Sequence, residues 1–213
     1  MRIARLTATI LAVAAGSTAA LWLTPSDAAR GDRDEASSAA SAFLRSLPAN
    51  LRAKAQFDMD SAARFDWNFV PKARAGVSLL DLDDTQAELI GPLLATALSP
   101  EGLLSVRGVI KHENILRRVE TEQGIDATRR DPGLYYTSIF GKPGTAAPWA
   151  WRFEGHHLSL NVTQVPGQAP VVGPVFMGAN PAKVLTGPQT GFRLLAAEED
   201  LGRGLMKMLP DER

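Results

Sequence analysis

Residues 149–165 read WAWRFEGHHLSLNVTQV, and the alternation within this stretch decides what kind of fold the chain can make. Trp149, Trp151 and Phe153 fall on one side of an extended chain, and Arg152 and Glu154 fall on the other, because successive strand side chains point to opposite faces. Gly155 interrupts. His156, Leu158, Leu160 and Val162 then share a side opposite His157, Ser159, Asn161 and Thr163. The pattern predicts two neighbouring strands with one apolar face for a core and one polar, wet face that can carry a site around His157. Gly155 leaves a second arrangement open, in which a bulge brings both imidazoles to one side.

The chain around this stretch supplies the rest of a sheet. Leu134 to Phe140 reads as an aromatic strand joined by Gly141-Lys142-Pro143-Gly144, and Pro166-Gly167-Gln168 turns into a further strand from Pro170 to Met177, which Gly178-Ala179-Asn180-Pro181 ends. Upstream, the spacing is helical. Ala40, Phe43, Leu44 and Leu47 make an apolar stripe, and Pro48 opens a short helix toward Phe57. Asp83 and Asp84 cap a helix to about Leu98, with a kink or break expected at Gly91-Pro92. Ser99-Pro100-Glu101 starts another, to about Val119. Phe65 to Val70 alternates as a strand that Pro71 ends. A last helix is expected from Phe192 to Leu209. N-terminal helices, a central antiparallel meander and a C-terminal helix define an α+β domain, expected over residues 37–213, with the helices of 84–119 and 192–209 covering the sheet.

Bulk properties exclude several functions. Twenty-three basic and 23 acidic residues cancel, so no global field favours nucleic acid or an anionic membrane. With no cysteine in 213 residues, disulfides, thiol nucleophiles and zinc ribbons are excluded together. Arg2 and Arg5, the apolar run from Leu6 to Leu23 and the small-x-small site Ser26-Asp27-Ala28 predict a signal peptide over 1–28. A flexible tether over 29–36 follows. The protein is expected to be exported, periplasmic or extracellular, touching a membrane only if the N-terminal segment stays uncleaved.

Arg64-Phe65-Asp66-Trp67-Asn68-Phe69-Val70-Pro71, Arg130-Asp131-Pro132-Gly133-Leu134-Tyr135-Tyr136, Ile139-Phe140-Gly141, Trp149 through Asn161, Gly178-Ala179-Asn180-Pro181 and Leu195-Ala196-Ala197-Glu198-Glu199-Asp200-Leu201 occur in this order. Together they resemble the DUF3500 family, a domain of unknown function, over most of residues 36–213. The resemblance implies an exported bacterial protein and no particular activity. It also implies a second half after this one, so the end at Arg213 suggests a truncated or split form.

For chemistry, the three histidines stand out. His112 sits mid-helix but lacks the second histidine of a zincin helix, since Leu116 and Arg117 occupy the positions where it would fall. A site of His157 and His112 with Glu154, Glu198 or Glu199, joined by His156 if a bulge brings it round, fits the ligand set of a divalent zinc, iron or manganese ion. The competing reading is that His156 packs among Leu158 and Leu160 with its nitrogens bonded to backbone. Glu198 and Glu199 open the last helix, where carboxylates suit the helix dipole; alternatively one of them turns inward as a general base. Arg152 either pairs with Glu154 or holds a substrate anion. No Gly-x-Ser-x-Gly, phosphate-cradling loop or dinucleotide fingerprint is present. A metal-dependent hydrolytic or oxidative enzyme is therefore expected, with a binding module for a small molecule or an envelope protein as the alternative.

Overall fold

The computed structural model describes residues 33–209, so the expected signal peptide lies outside them. The part of the expected tether from Arg33 onward forms the first turn of α1 (Arg33–Ser46), where Ala36 is already buried. α1 buries the stripe Ala40, Phe43 and Leu44 as its spacing requires, and Leu47 just after its end is buried too. After α2 (Ala49–Ala55) the chain passes directly into a short strand, β1 (Gln56–Phe57).

Local signals place the next helices well. Asp83 caps α3 (Asp84–Glu88) in a reciprocal box, accepting from the Gln86 N–H while the Gln86 side chain accepts from the Asp83 N–H. The break comes at Leu89, earlier than Gly91-Pro92. α4 (Ile90–Ala95) starts there, which puts Pro92 in a first turn where an amide N–H has no helical acceptor to lose. Ser99 caps α5 (Pro100–Glu122) by accepting from the Gly102 N–H.

The sheet contains the expected meander: β3 (Tyr136–Phe140), β4 (Trp149–Gly155), β5 (Leu158–Gln164) and β6 (Val171–Met177), all antiparallel neighbours. Two short strands from the helical half complete it. β1 runs parallel to β3 and β2 (Val77–Ser78) antiparallel to it, both on the edge of β3 away from β4, so the sheet is mixed. On one face Trp151 opposes Val162 and Phe153 opposes Leu160, and these side chains share a core with Phe43, Leu93, Leu94, Val106 and Val109 of α1, α4 and α5.

The opposite face is sealed at Arg152, Glu154 and Ser159 and only partly open at Asn161 and Thr163. Arg152 and Glu154 are each 1 % exposed, because the chain between Ala62 and Gly76 lies across them. This segment includes the expected strand Phe65 to Val70, which does not form. Its backbone is satisfied by side chains instead of a ladder. Arg152 Nη2 donates to Ala63 O at 3.0 Å, the Asn68 N–H donates to Glu154 Oε2 at 2.8 Å, and Arg74 Nη2 donates to Gly155 O at 3.0 Å. Arg152 Nε stands 3.0 Å from Glu154 Oε1, so the two also form the pair anticipated from their spacing. Burial pushes Glu154 up and both Arg152 and Arg74 down from their ordinary values, against their mutual attraction.

α6 (Ala196–Met208) begins four residues later than its periodicity suggests and buries no residue, so it does not cover the sheet. Its apolar side chains are turned outward, and only the loop before it reaches the core, through Leu194.

Candidate active site at the tip of the β4–β5 hairpin

His156 and His157 form the whole connection between β4 and β5, whose terminal residues Gly155 and Leu158 are paired. The strand alternation therefore stops before the histidines. His157 does not share a face with Ser159 and Asn161, because it sits in the left-handed region at φ 56°. That geometry folds the two rings onto one another, with centroids 4.0 Å apart.

Three hydrogen bonds fix the turn. The His157 N–H donates to Phe69 O at 2.8 Å, the Gly178 N–H donates to His157 O at 2.9 Å, and the Tyr135 hydroxyl donates to His156 O at 3.0 Å. Burial holds the Tyr135 phenol well above its ordinary value, so it stays a donor. Gly155 is required for this arrangement. A Cβ there would overlap the Tyr135 ring, so the glycine serves close packing, with no bulge in the β4–β5 pairing.

The chemistry is concentrated on His156. Its Nδ1 lies 2.5 Å from Glu113 Oε1 in α5, and both side chains are nearly enclosed. A carboxylate accepts, so Nδ1 carries the proton and the lone pair is left on Nε2. Nε2 has no hydrogen-bond partner among the described residues, and the ring lines a cavity of about 210 Å³ together with Glu113, Arg74, Asp131, Tyr135 and Tyr136. Arg74 is committed to the backbone of Asn68, Val70, Lys72 and Gly155 and shapes the wall. Behind the dyad, Arg130 clamps Glu120 through two bonds of 2.8 and 2.7 Å, which holds Glu120 below the usual carboxylate range.

The other two histidines are close by but face away from the cavity. His112 Nε2 donates to Pro181 O at 2.9 Å, and its ring packs near Phe192. His157 packs edge-on against Phe176, which Phe69 stacks at 4.1 Å. Burial first, then His156, Arg130 and His112, pull the His157 imidazole down to about 4, so it is neutral near pH 7. The Nδ1 atoms of both His112 and His157 are buried without a partner.

The remaining expected site residues are elsewhere. Arg152 and Glu154 are locked beneath the Ala62–Gly76 segment. Glu198 is exposed, and Glu199 is held by Arg193 and Arg203 at 2.8 Å each on the surface of α6. Among the described residues no group of three or more His, Asp or Glu side chains is gathered closely enough to hold a metal ion. Glu113 is the residue the strand reading passed over. A signal for it exists, since Val106, Val109, Ile110, Glu113, Leu116 and Glu120 are all buried on α5 and two of these stripe positions are carboxylates.

A larger cavity of about 540 Å³ lies at the far end of the hairpin, between Ser37, Ser41 and Arg45 of α1 and the turn at Pro166 and Gly167. Among the described residues its lining contains no acid–base pair.

Fold and site together define a mixed-sheet α+β domain with a buried carboxylate–imidazole dyad on a small cavity. The chain belongs to the family described as protein of unknown function (DUF3500), whose model matches residues 30–213. No curated protein and no solved structure matches it.

Proposed function

We propose that this chain is an exported acid–base enzyme in which His156, oriented by Glu113, moves a proton to or from a small polar substrate in the hairpin-tip cavity. The observation that carries this reading is the 2.5 Å contact between His156 Nδ1 and Glu113 Oε1, which leaves Nε2 uncommitted on a residue that lines the cavity. Glu113 selects the tautomer and stabilises the imidazolium formed when Nε2 takes the proton. Among the described residues no serine or threonine lines the cavity, so for a hydrolysis the attacking group is water, deprotonated by Nε2. The Tyr135 hydroxyl keeps the turn, and with it the ring, in register. Export rests on the N-terminal pattern of Arg2, Arg5 and the apolar run that follows, and mass spectrometry of the secreted protein's N-terminus tests it.

The test of the chemistry is a panel of small carboxylic and phosphoric esters and glycosides incubated with the purified chain. A turnover reduced by about 10²-fold or more in His156→Ala and His156→Gln supports the reading. A turnover indifferent to both substitutions rejects it.

A metal-dependent reading is favoured by one observation, the buried and unpartnered Nδ1 atoms of His112 and His157. Two imidazole donors of this kind need further ligands from substrate or water. Titration with Zn²⁺ or Co²⁺ distinguishes the readings, because uptake lost in His112→Ala but kept in His156→Ala places the chemistry on the other pair.

A further inference from the structure

The cavity of about 540 Å³ at the far end of the β4–β5 hairpin has a lining suited to holding a ligand. Trp149 and Gln164 are cross-strand partners there, on the sheet face that carries the core. Gln164 stands where the run Leu158, Leu160, Val162 calls for another apolar residue. It is only 5 % exposed, yet its amide makes no hydrogen bond among the described residues and neither polar atom is fully enclosed. The amide is therefore open to the cavity that the residue lines. Across from it, α1 presents Ser37, Ser41 and Arg45, each one turn on from the last, with Ser38 beside them. None of these four side chains bonds to another described residue, whereas Ser46 at the end of the same helix donates to the Phe43 carbonyl at 2.7 Å.

The chemistry of this lining selects its ligand. Three hydroxyls and an amide, all able both to donate and to accept, match a molecule that carries several hydroxyls of its own. Arg45 is the only charged side chain of the lining among the described residues, so a carboxylate is favoured and a cation is not. Trp149 adds a rigid apolar wall against which a carbon frame can pack. The volume lies in the range of small-molecule sites and exceeds what an inorganic anion fills. We propose that this cavity binds a small polyhydroxylated carboxylate of the sugar-acid class, with its carboxylate on Arg45 and its hydroxyls on Gln164 and the serines of α1.

Titration of the ¹⁵N-labelled chain with D-glucuronate, followed through the Gln164 side-chain amide and the Trp149 indole resonances, tests this. Saturable shifts of both are expected, with affinity lowered about tenfold or more in Arg45→Ala and in Gln164→Leu. Arg45 is exposed, so its variant keeps the fold and the test stands even if Gln164→Leu lowers the melting temperature. D-Glucose, which lacks the carboxylate, and inorganic phosphate, which lacks the hydroxylated frame, should each bind about tenfold more weakly or worse. Four results each overturn the proposal: no saturable shift at any attainable concentration, which would leave a merely hydrated cavity; shifts indifferent to Arg45→Ala; glucose binding as tightly as glucuronate; or phosphate doing so.

Discussion

His156 and Glu113 are 43 residues apart in the chain and 2.5 Å apart in the fold. The hairpin tip carries one and the middle of α5 the other, and packing Val106 and Val109 against the strand core brings them together. Glu113→Leu removes the acceptor that holds the proton on Nδ1. We expect a change of tautomer at His156, visible as exchanged ¹⁵N shifts of the ring, and a loss of about 1.5–3 kcal/mol of stability for a hydrogen bond to a charged group. Unchanged ring shifts in the variant would mean that Glu113 does not orient the imidazole.

His157 makes stability depend on pH. Its folded value of about 4 lies below the ordinary 6.5. Between these values the unfolded chain binds a proton that the folded chain refuses, so stability is complete above about pH 6.5 and falls as the pH drops toward 4. The full displacement sets an upper bound of about 3 kcal/mol, reduced by solvent screening at a half-buried ring. Urea unfolding of wild type and His157→Gln at matched pH should show the difference between them shrinking across this window; a constant difference would refute the assignment.

The turn itself can be tested apart from the imidazole. His157→Gly and His157→Val both lose the ring, but only valine must hold a β-branched side chain at φ 56°. Glycine should be the more stable variant by about 1–2 kcal/mol. Equal melting temperatures would mean that the left-handed conformation is not retained.

Arg152 is buried beside Glu154 and donates to the backbone of Ala63. Arg152→Ala leaves a buried carboxylate facing Arg74 alone and frees the covering segment, at a cost of about 3–5 kcal/mol. The double change Arg152→Met with Glu154→Leu should be no milder than the single one, since it leaves the buried Arg74 guanidinium without its carboxylate. Limited proteolysis between Ala62 and Gly76 gives a second readout, and it should accelerate in the single variant.

Among the elements legible from local pattern, α1, α5 and strands β3 to β6 stand within a few residues of their expected places, because caps, prolines and apolar spacing act over one or two turns. Phe65 to Val70 was less legible. Its alternation is that of a strand, yet its hydrogen bonds go to the nearby Arg74 side chain and to Glu154 and the His157 N–H, which are distant in sequence. The same distance explains the histidines. Their presence and adjacency are plain in the sequence, but a strand pattern carried through Gly155 assigns them to opposite faces, whereas a turn at that point stacks them.

Taken alone, the order of residues determined an α+β chain, its apolar sheet face, the capped starts of α3 and α5 and its family, all of which follow from short-range periodicity or recurring blocks. Only the tertiary structure decided that the polar sheet face is sealed at Arg152 and Glu154, that α6 is turned outward, and that Glu113 is the partner of His156. These are pairings between distant segments, set by which surfaces bury one another, and no local spacing encodes them.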